Sequence, residues 1–438
     1  MSQNLKIFFW SLSAALGGFL FGFDTAVISG VEQTLQKLWN LNAFEHGVTV
    51  SIALIGTVFG SLIGGILADK YGRKNSLLII ALLYFVSSIG TAYAVDWSVF
   101  LTFRFFGGLG VGVSSVVAPL YISEIAPPKK RGRLVAMFQF NIVFGILMAY
   151  LSNYLLSGIG PNEWRWMLGV QAFPSIIFII TVLLIPESPR WLILKKGAVS
   201  SARKILNIID PDSTEQIIAS IQQNTSTTKV LLFQKGYNKP IMLAVLFAVF
   251  NQVSGINAII YFAPRIFEMA GIGKDSALLS SAGIGLVNLF STLLGIAMID
   301  KFGRRILMIT GSIGLITMLS LVANAFYTGN IGMNVPYYLF GFIAFFGFSQ
   351  GAVIWVFISE IFPNEVRASG QALGSFTHWF MATIITFSFP YLAETFGGGV
   401  VFTFFALMMA LQLLFALKIM PETKGKSLEN MDELVLMH

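Results

Sequence analysis

The chain has 438 residues, of which 55% are hydrophobic and 11% charged, and its mean hydropathy is +0.77. Soluble domains carry about 25% charged residues, so this chain has too few to cover a water-facing surface, and most of its apolar surface must face lipid. It has no Cys and only three His, which excludes disulfides, a thiolate nucleophile and a His-rich metal site. We expect no cofactor.

Uncharged apolar stretches of about 20 residues, the length that crosses the hydrocarbon core as a helix, recur along the chain. They predict twelve spans, at 8–30, 47–68, 76–95, 99–122, 134–157, 167–185, 241–263, 277–299, 306–326, 336–358, 370–392 and 400–419. The polar segment after the sixth span is predicted to contain two short amphipathic helices, 193–209 and 213–223.

The Lys and Arg residues lie mainly on one side of these spans. If the N-terminus is cytoplasmic, 23 of the 28 fall in cytoplasmic segments and four in external ones, as the positive-inside rule requires. The sequence therefore predicts a multi-pass protein of the inner (plasma) membrane with both termini in the cytoplasm. This distribution explains the net charge of +7 without nucleic-acid binding.

Three sequence patterns occur twice at nearly equal distances. The segment 69–74 (DKYGRK) returns at 300–305 (DKFGRR), 122–127 (ISEIAP) returns at 358–363 (ISEIFP), and Pro186-Glu187 returns as Pro421-Glu422. Parallel repeats of this kind are typical of secondary transporters, whose substrate site lies where the halves meet. We predict an all-α membrane protein with two six-helix halves, 1–185 and 241–438, joined by a cytoplasmic helical linker, 186–240.

The set of motifs resembles that of the sugar porter family of the major facilitator superfamily. The shared motifs are the loops Gly72–Lys74 and Gly303–Arg305, Pro186–Leu192 (PESPRWL), Pro421–Gly425 (PETKG), Gln252–Asn257 and Arg104–Gly112. The resemblance covers nearly the whole chain. It implies the major facilitator fold and transport of a hexose or pentose by alternating access, not catalysis. The implied partners are a monosaccharide, a proton and membrane lipid, and we expect a monomer.

Asp24 and Arg104 are the two charged residues inside the apolar core of the predicted spans. An ionisable group at such depth costs about 2.5–3.5 kcal/mol on insertion scales, so a function is expected. Both lie about 8–9 Å below the outer surface, which predicts that they pair as a proton-coupling site; a fixed structural ion pair is the alternative. In the sugar porters an Asp at this place marks the proton symporters. A proton-independent facilitator is the second possibility, and a non-transporting sugar sensor is a weaker third.

A sugar needs amide groups for its hydroxyls and aromatic rings for its C–H faces. An unbroken helix would place Gln252 and Asn257 about 140° apart, so we expect Gly255 to break span 7 and turn both inward. For any one buried amide, a bond between helices is the alternative. By the resemblance, the substrate-binding residues are Phe21, Gln139, Gln252, Asn257, Tyr261, Asn288, Trp355 and Trp379. We predict that Asn251 and His378 also belong to the site. The chain departs from the family pattern at four positions. Asn251 and Ile146 stand where the family commonly has Gln, His378 stands where it often has Gln or Asn, and Ala352 stands where it usually has Pro.

Charged residues repeat at the predicted cytoplasmic ends of both halves. Positive-inside topology accounts for the Arg residues but not for the duplicated Glu residues, so we predict a cytoplasmic gate. Its predicted members are Arg73, Glu124, Arg131, Glu187, Arg304, Glu360, Arg367 and Glu422. The glycines of 107–112, which resemble a nucleotide loop, lie within a span, as do Gly56 and Gly60. All of them are predicted to pack helices closely.

Overall fold

The computed structural model describes residues 2–127, 130–223, 232–234, 236–363 and 366–424, which form helices and turns and no β-strand. Gly425, the last residue of the final shared motif, and Lys129, one of the predicted cytoplasmic charges, lie outside the described residues. The fold over these ranges is all-α, as the sequence predicted.

The membrane-spanning helices of the first half begin near the N-terminus and run to residue 184. They are α1 (Gln3–Val27), α3 (Ala43–Tyr71), α4 (Arg73–Ala92), α5 (Trp97–Ile125), α6 (Arg131–Leu156) and the pair α7 (Glu163–Gly169) and α8 (Ala172–Leu184). A short helix, α2 (Glu32–Leu38), follows α1 through the turn Ile28–Gly30.

The second half repeats this pattern with more interruptions. Its helices are α12 (Asn238–Val253), α13 (Ile256–Met269), α14 (Lys274–Phe302), α15 (Arg304–Thr328), α16 (Asn334–Phe346), α17 (Ala352–Glu360) and α18 (Arg367–Lys418). A single π-helical turn, Gly347–Gly351, joins α16 to α17 and was not predicted.

Eleven helical segments of the described residues are long and apolar enough to cross a membrane. The last of these, α18, has 52 residues and would be about 78 Å long, more than twice the ~30 Å hydrocarbon core. Its backbone leaves the helical region at Gly397, where φ is 78°, so α18 consists of two spans. The twelve predicted spans are therefore confirmed.

The linker differs from its prediction in one respect. It contains α9 (Pro189–Lys196), α10 (Val199–Ile209) and α11 (Thr214–Gln223). The single helix predicted over 193–209 is wrong, because Gly197 takes a left-handed conformation with φ of 64° and ends α9.

Contacts within the chain define two compact units. Unit 1 contains Met1–Asp24, Ile55–Ile146 and Arg165–Lys229, and unit 2 contains Thr25–Leu54, Leu147–Trp164 and Val230–His438. Unit 2 thus combines one end of spans 1, 2 and 5 with the second half of the sequence. The division into two homologous halves remains a prediction from the sequence repeat.

Glycines bring helix backbones into contact within unit 1. A Cβ at Gly22 of α1 would overlap the backbone carbonyl of Ile142 in α6, and one at Gly112 of α5 would overlap that of Thr57 in α3. Gly56 and Gly60 meet α5 in the same way. Gly112, in the nucleotide-like pattern, therefore serves close helix packing, as predicted.

Candidate substrate and proton sites

Asp24 and Arg104 form a buried ion pair inside unit 1. The Nη1 atom of Arg104 donates to Oδ1 of Asp24 at 2.8 Å, and its Nη2 donates to the Asp24 backbone carbonyl at 3.3 Å. Asp24 is 2% exposed and Arg104 is 1% exposed. Both side chains are buried from bulk solvent, so separating them would leave a buried charge uncompensated.

The chain breaks within span 7 where the sequence predicted. Gly255 has φ of 86° and separates α12 from α13. A side chain at this position would be strained by the backbone and would also collide with the ring of Phe405. As a result, Nδ2 of Asn257 donates to Oε1 of Gln252 at 2.6 Å, although the two residues would face apart on a continuous helix.

The Gln252 amide is the centre of a buried polar network in unit 2. Its Nε2 donates to Oδ1 of Asn251 at 2.9 Å and lies 3.2 Å from both ring nitrogens of His378. Nδ2 of Asn251 has no hydrogen-bond partner among the described residues. The network therefore contains one free donor, Nδ2 of Asn251. The hydroxyl groups of a ligand are able to replace the bonds that Gln252 makes to its neighbours.

Two Trp rings flank His378. The His378 ring centroid lies 4.9 Å from that of Trp355 and 4.8 Å from that of Trp379, the latter edge to face. Trp379 is buried and Trp355 is partly exposed. Aromatic faces therefore adjoin the amide network, which is the combination that sugar binding requires.

The remaining predicted pocket residues lie on four helices. In unit 2, Tyr261 is buried on α13, and Asn288 is buried on α14, where its Oδ1 accepts from Thr292 at 3.4 Å. In unit 1, Phe21 is buried on α1 and Gln139 is half-buried on α6. The structure thus joins Asn251, Gln252, Asn257, His378 and the two Trp residues into one group. Sugar contact by any of the ten stays a prediction.

The charged residues predicted as a gate form a cluster at one end of unit 1. Nε and Nη2 of Arg73 donate to the two carboxylate oxygens of Glu124, both at 2.9 Å, and Nη1 donates to Asp69 at 3.2 Å. The Ser188 hydroxyl also donates to Glu124. The cluster connects the loop between α3 and α4 with the end of α5 and the start of the linker.

Unit 2 repeats this cluster with the duplicated residues. Nε and Nη2 of Arg304 donate to Glu360 at 3.0 and 2.8 Å, Nη1 donates to Asp300 at 3.1 Å, and the Thr423 hydroxyl donates to Glu360 at 2.6 Å. The sequence repeat is therefore also a repeat of geometry.

Glu187 and Glu422 occupy equivalent positions but bind backbone rather than the Arg side chains. Glu187 accepts the N–H groups that begin α4, and Glu422 accepts those that begin α15. Gly72 and Gly303 precede these helices with φ near 90°, and a Cβ at either would overlap the carboxylate. Glycine is required there because the acid sits directly on the helix start.

The two acids differ in charge environment. Burial is the largest influence on Glu187 and raises its pKa, although the backbone N–H groups of Ser188, Lys74 and Arg73 and the Arg73 charge act against it. Burial also acts to raise the pKa of Glu422, but four backbone N–H groups together outweigh it, so the pKa is lowered.

Two predicted gate residues do not supply the ion pairs described above. Arg131 begins α6 with an exposed side chain, and Arg367 donates from Nε to the backbone carbonyl of Phe362 at 3.2 Å. Glu124 and Glu360 are paired instead with the Arg residues of the preceding loops.

Several residues of these clusters were not predicted. Ser188 and Thr423 directly follow the duplicated Pro-Glu pairs, so a hydroxyl in both copies was a usable signal. Asp69 and Asp300 begin the first duplicated segment and offered the same signal. A buried group at the ends of spans 1, 2 and 7, containing Glu32, His46 and Arg265, belongs to no repeated motif and was missed.

The twelve apolar spans, the buried ion pair and the broken polar helix together define a multi-pass membrane protein of the secondary-transporter class. Comparison with known proteins gives the family. The chain belongs to the sugar transporter family, because the model described as "Sugar (and other) transporter" matches residues 10–435.

Individual relatives agree over nearly full length. The arabinose-proton symporter of Bacillus subtilis (strain 168) is 37% identical, over 97% of this chain and 94% of its own. The D-xylose-proton symporter of Escherichia coli (strain K12) is 35% identical, over 98% and 95%. The solved inward-open structure of the xylose transporter XylE from E. coli superposes with a TM-score of 0.88 at 33% identity, covering 98% of this chain and all of that one.

Proposed function

We propose that this chain is a proton-coupled symporter that moves a monosaccharide, a hexose or a pentose, into the cell by alternating access. The buried Asp24–Arg104 pair is the observation that carries the proton part. The amide and Trp group around Gln252 supports a sugar as the substrate. The relatives named as arabinose-proton and D-xylose-proton symporters support both.

Asp24 is the proton carrier in this proposal. While Arg104 is within hydrogen-bond distance, the carboxylate is stable in its charged form. If the guanidinium moves away, a carboxylate at this burial is stable only with a proton. Protonation and a change of conformation are then coupled, because each favours the other.

Gln252 and its neighbours bind the sugar in this proposal. Gln252 donates to Asn251 and accepts from Asn257. Sugar hydroxyls replace these bonds, and the free Nδ2 of Asn251 adds a donor. Trp355 and Trp379 supply apolar faces for the sugar ring.

Asp24→Asn tests the coupling. We expect it to abolish uphill accumulation of sugar in proteoliposomes with an imposed proton gradient, and to leave sugar counterflow largely intact, because only accumulation needs the proton. Asp96→Asn is the matched control, since Asp96 caps the start of α5 through the Val99 N–H and Asn serves equally well as a cap. Equal loss of both activities would identify a structural ion pair instead.

A facilitator of the same sugars is the alternative function. It retains the Gln252 group but moves no proton, so sugar added to cells would leave the external pH unchanged. Alkalinisation of the medium on sugar addition supports the symporter.

We also propose that the carrier is a monomer in the lipid of the inner membrane with both termini in the cytoplasm. The Lys and Arg distribution supports this orientation. The chain has no Cys, so single cysteines at exposed positions report the side directly. A membrane-impermeant maleimide should label Asn330→Cys, between spans 9 and 10, in intact cells and should not label Ser201→Cys in the linker. The reverse pattern would overturn the orientation.

A further inference from the structure

A buried group of charged side chains lies at the ends of spans 1, 2 and 7, within unit 2. Glu32 begins α2, and His46 lies in the first turns of α3. Nε2 of His46 is 2.6 Å from Oε2 of Glu32, and both side chains are 0% exposed. Nε of Arg265, on α13, is 3.3 Å from Oε1 of Glu32. These three residues are called the outer cluster, because the predicted orientation places these helix ends outside the cell.

The charges around His46 balance when the Glu32–His46 pair holds one proton more than an ionised Glu32 and a neutral His46 do together. Besides Glu32, the facing groups are Arg265 and, in contact with Arg265 at 3.6 Å, Glu394 of α18. Arg265 also donates to the neutral amide of Gln36. Two further charged groups are near His46 in the sequence. Glu45 accepts from the backbone N–H of Asn42, and Lys37 is exposed. With both acids ionised, one Arg leaves a net charge of −1, which a protonated imidazole cancels.

The geometry makes the contact depend on that proton. Among the described residues, neither oxygen of Glu32 and neither ring nitrogen of His46 has a hydrogen bond of good alignment, despite the short distance between them. A neutral imidazole in this position would give the buried carboxylate neither a directed bond nor a charge. A protonated imidazole at the same place attracts it strongly, because water is excluded.

The outer cluster joins parts of the chain that are far apart in sequence. The turn Ile28–Gly30 packs against α13, and the His46 ring meets Phe262 of α13 edge to face. Gly47 follows His46 in the chain, and a Cβ at Gly47 would overlap the backbone carbonyl of Phe387 in α18. Within unit 2, these ends of spans 1 and 2 are thus closed against spans 7 and 11.

We propose that Glu32 and His46 form a second proton-binding site, separate from Asp24 and Arg104, and that a proton bound there holds the outer ends of spans 1, 2 and 7 together. Low external pH then favours closure of this side, and high pH loosens it. The proposal rests on the alternating access of the proposed function, but it requires neither a particular sugar nor proton coupling at Asp24.

Protonation of His46 is directly measurable. The sequence contains three His residues, 46, 378 and 438, so ring-labelled His gives three NMR signals and His46→Gln identifies one of them. If the site binds a proton, the His46 signal should shift as the external pH is changed. In Glu32→Gln the midpoint of that signal change should move to lower pH, because the anion that stabilises the proton is gone. A ring that does not titrate, or a midpoint that Glu32→Gln leaves unchanged, overturns the proposal.

Closure of these helix ends is measured with a single cysteine in the turn Ile28–Gly30. Ser29 is buried in the turn that packs on α13, so maleimide labelling of Ser29→Cys reports separation of these ends. Rates are divided by those of exposed Asn330→Cys, which corrects for thiol ionisation. The background is Asp24→Asn, so that the first proton site cannot titrate.

In that background we expect the corrected labelling rate to be about 5-fold or more lower at pH 5.5 than at pH 8.5. Adding His46→Gln should remove this difference. If the pH dependence persists without His46, or is absent while His46 is present, the outer cluster does not control closure of this side. Failure of the proposed function would appear separately, as absent sugar counterflow with the His46 titration unchanged.

Discussion

At the scale of single residues, the Gln252 amide is held by partners on both of its ends. Asn257 donates to its oxygen, while Asn251 and His378 face its nitrogen. Such a group is positioned before any ligand arrives, so little conformational entropy is lost when it binds a hydroxyl.

Gln252→Ala is expected to weaken sugar binding by about 1–3 kcal/mol, because it leaves buried hydroxyl and amide partners unpaired. Isothermal titration calorimetry with the transported sugar measures this. Gln412→Ala is the matched control: Gln412 is also fully buried and donates to Ser312 at 2.8 Å, but lies outside the amide network. Equal losses in the two variants, or none in Gln252→Ala, would remove Gln252 from the site.

How far the site was predictable depends on whether a residue belongs to a recognisable pattern. Gln252 and Asn257 were predicted together because the glycine between them allows a break, and their contact at 2.6 Å confirms that break. The contact of His46 with Glu32 was not predicted. Thirteen residues and a helix start separate the two, and burial of a charge at a helix end depends on what packs over it, which no local pattern specifies.

At the scale of helices, α4 and α15 begin on carboxylates supplied from distant segments. Oε1 of Glu187 accepts from the N–H groups of Arg73, Lys74 and Ser188, so most of its bonds use one oxygen. Glu422 uses both, Oε1 for Arg304 and Oε2 for Arg305. An amide side chain, with one accepting oxygen, replaces the first arrangement better than the second.

Glu422→Gln is therefore expected to destabilise the protein more than Glu187→Gln at neutral pH. The cost of Glu422→Gln should be about 1–2 kcal/mol, the low end for bonds to a charged group because Glu422 is partly exposed. Thermal unfolding in detergent, followed by Trp fluorescence, gives the comparison. Equal unfolding temperatures would contradict the assignment of bonds to the two oxygens.

The pKa directions give these variants opposite pH dependences. The lowered pKa of Glu422 contributes stability above the unfolded value of about 4.3, and this is lost as pH falls through the lower folded value. The deficit of Glu422→Gln should therefore shrink in acid. The raised pKa of Glu187 contributes stability below the unfolded value, lost as pH rises through the folded one. Glu187→Gln should escape that loss.

The number of spans was predictable from hydropathy, but of three interruptions of the helices only one was predicted. The break at Gly255 was predicted, whereas those at Gly197 and at the π-helical turn Gly347–Gly351 were not. The chain has 42 Gly, and most of those inside spans serve close packing instead. Composition alone does not separate a glycine that breaks a helix from one that lets two helices touch.

At the scale of the whole molecule, the duplicated clusters are candidates for setting the balance between conformations. Each cluster lies inside one unit: Arg73 and Glu124 in unit 1, Arg304 and Glu360 in unit 2. Each connects a loop between two spans with the end of a third span and with a further segment, which follows span 6 in unit 1 and span 12 in unit 2. Such a cluster ties three segments of one unit together, and alternating access is largely the movement of one set of helices against another as bodies.

If the Glu360 cluster supports the state closed at the cytoplasmic side and open outside, Glu360→Gln should shift the population toward the inward-open state. Gln keeps the size but loses the charge and one acceptor of the Arg304 fork. The shift cannot exceed the lost differential interaction, about 1–2 kcal/mol or roughly 5–30-fold. Ser29 is buried on the predicted outer side, so maleimide labelling of Ser29→Cys requires that side to open. The labelling should slow by that factor, and net uptake should fall with little loss of folded protein. Asp300→Asn is the control, since Asp300 contacts the same Arg304 but its side chain is 84% exposed, so its pair is worth little. If labelling is unchanged in Glu360→Gln while uptake falls, the cluster does not act as a gate.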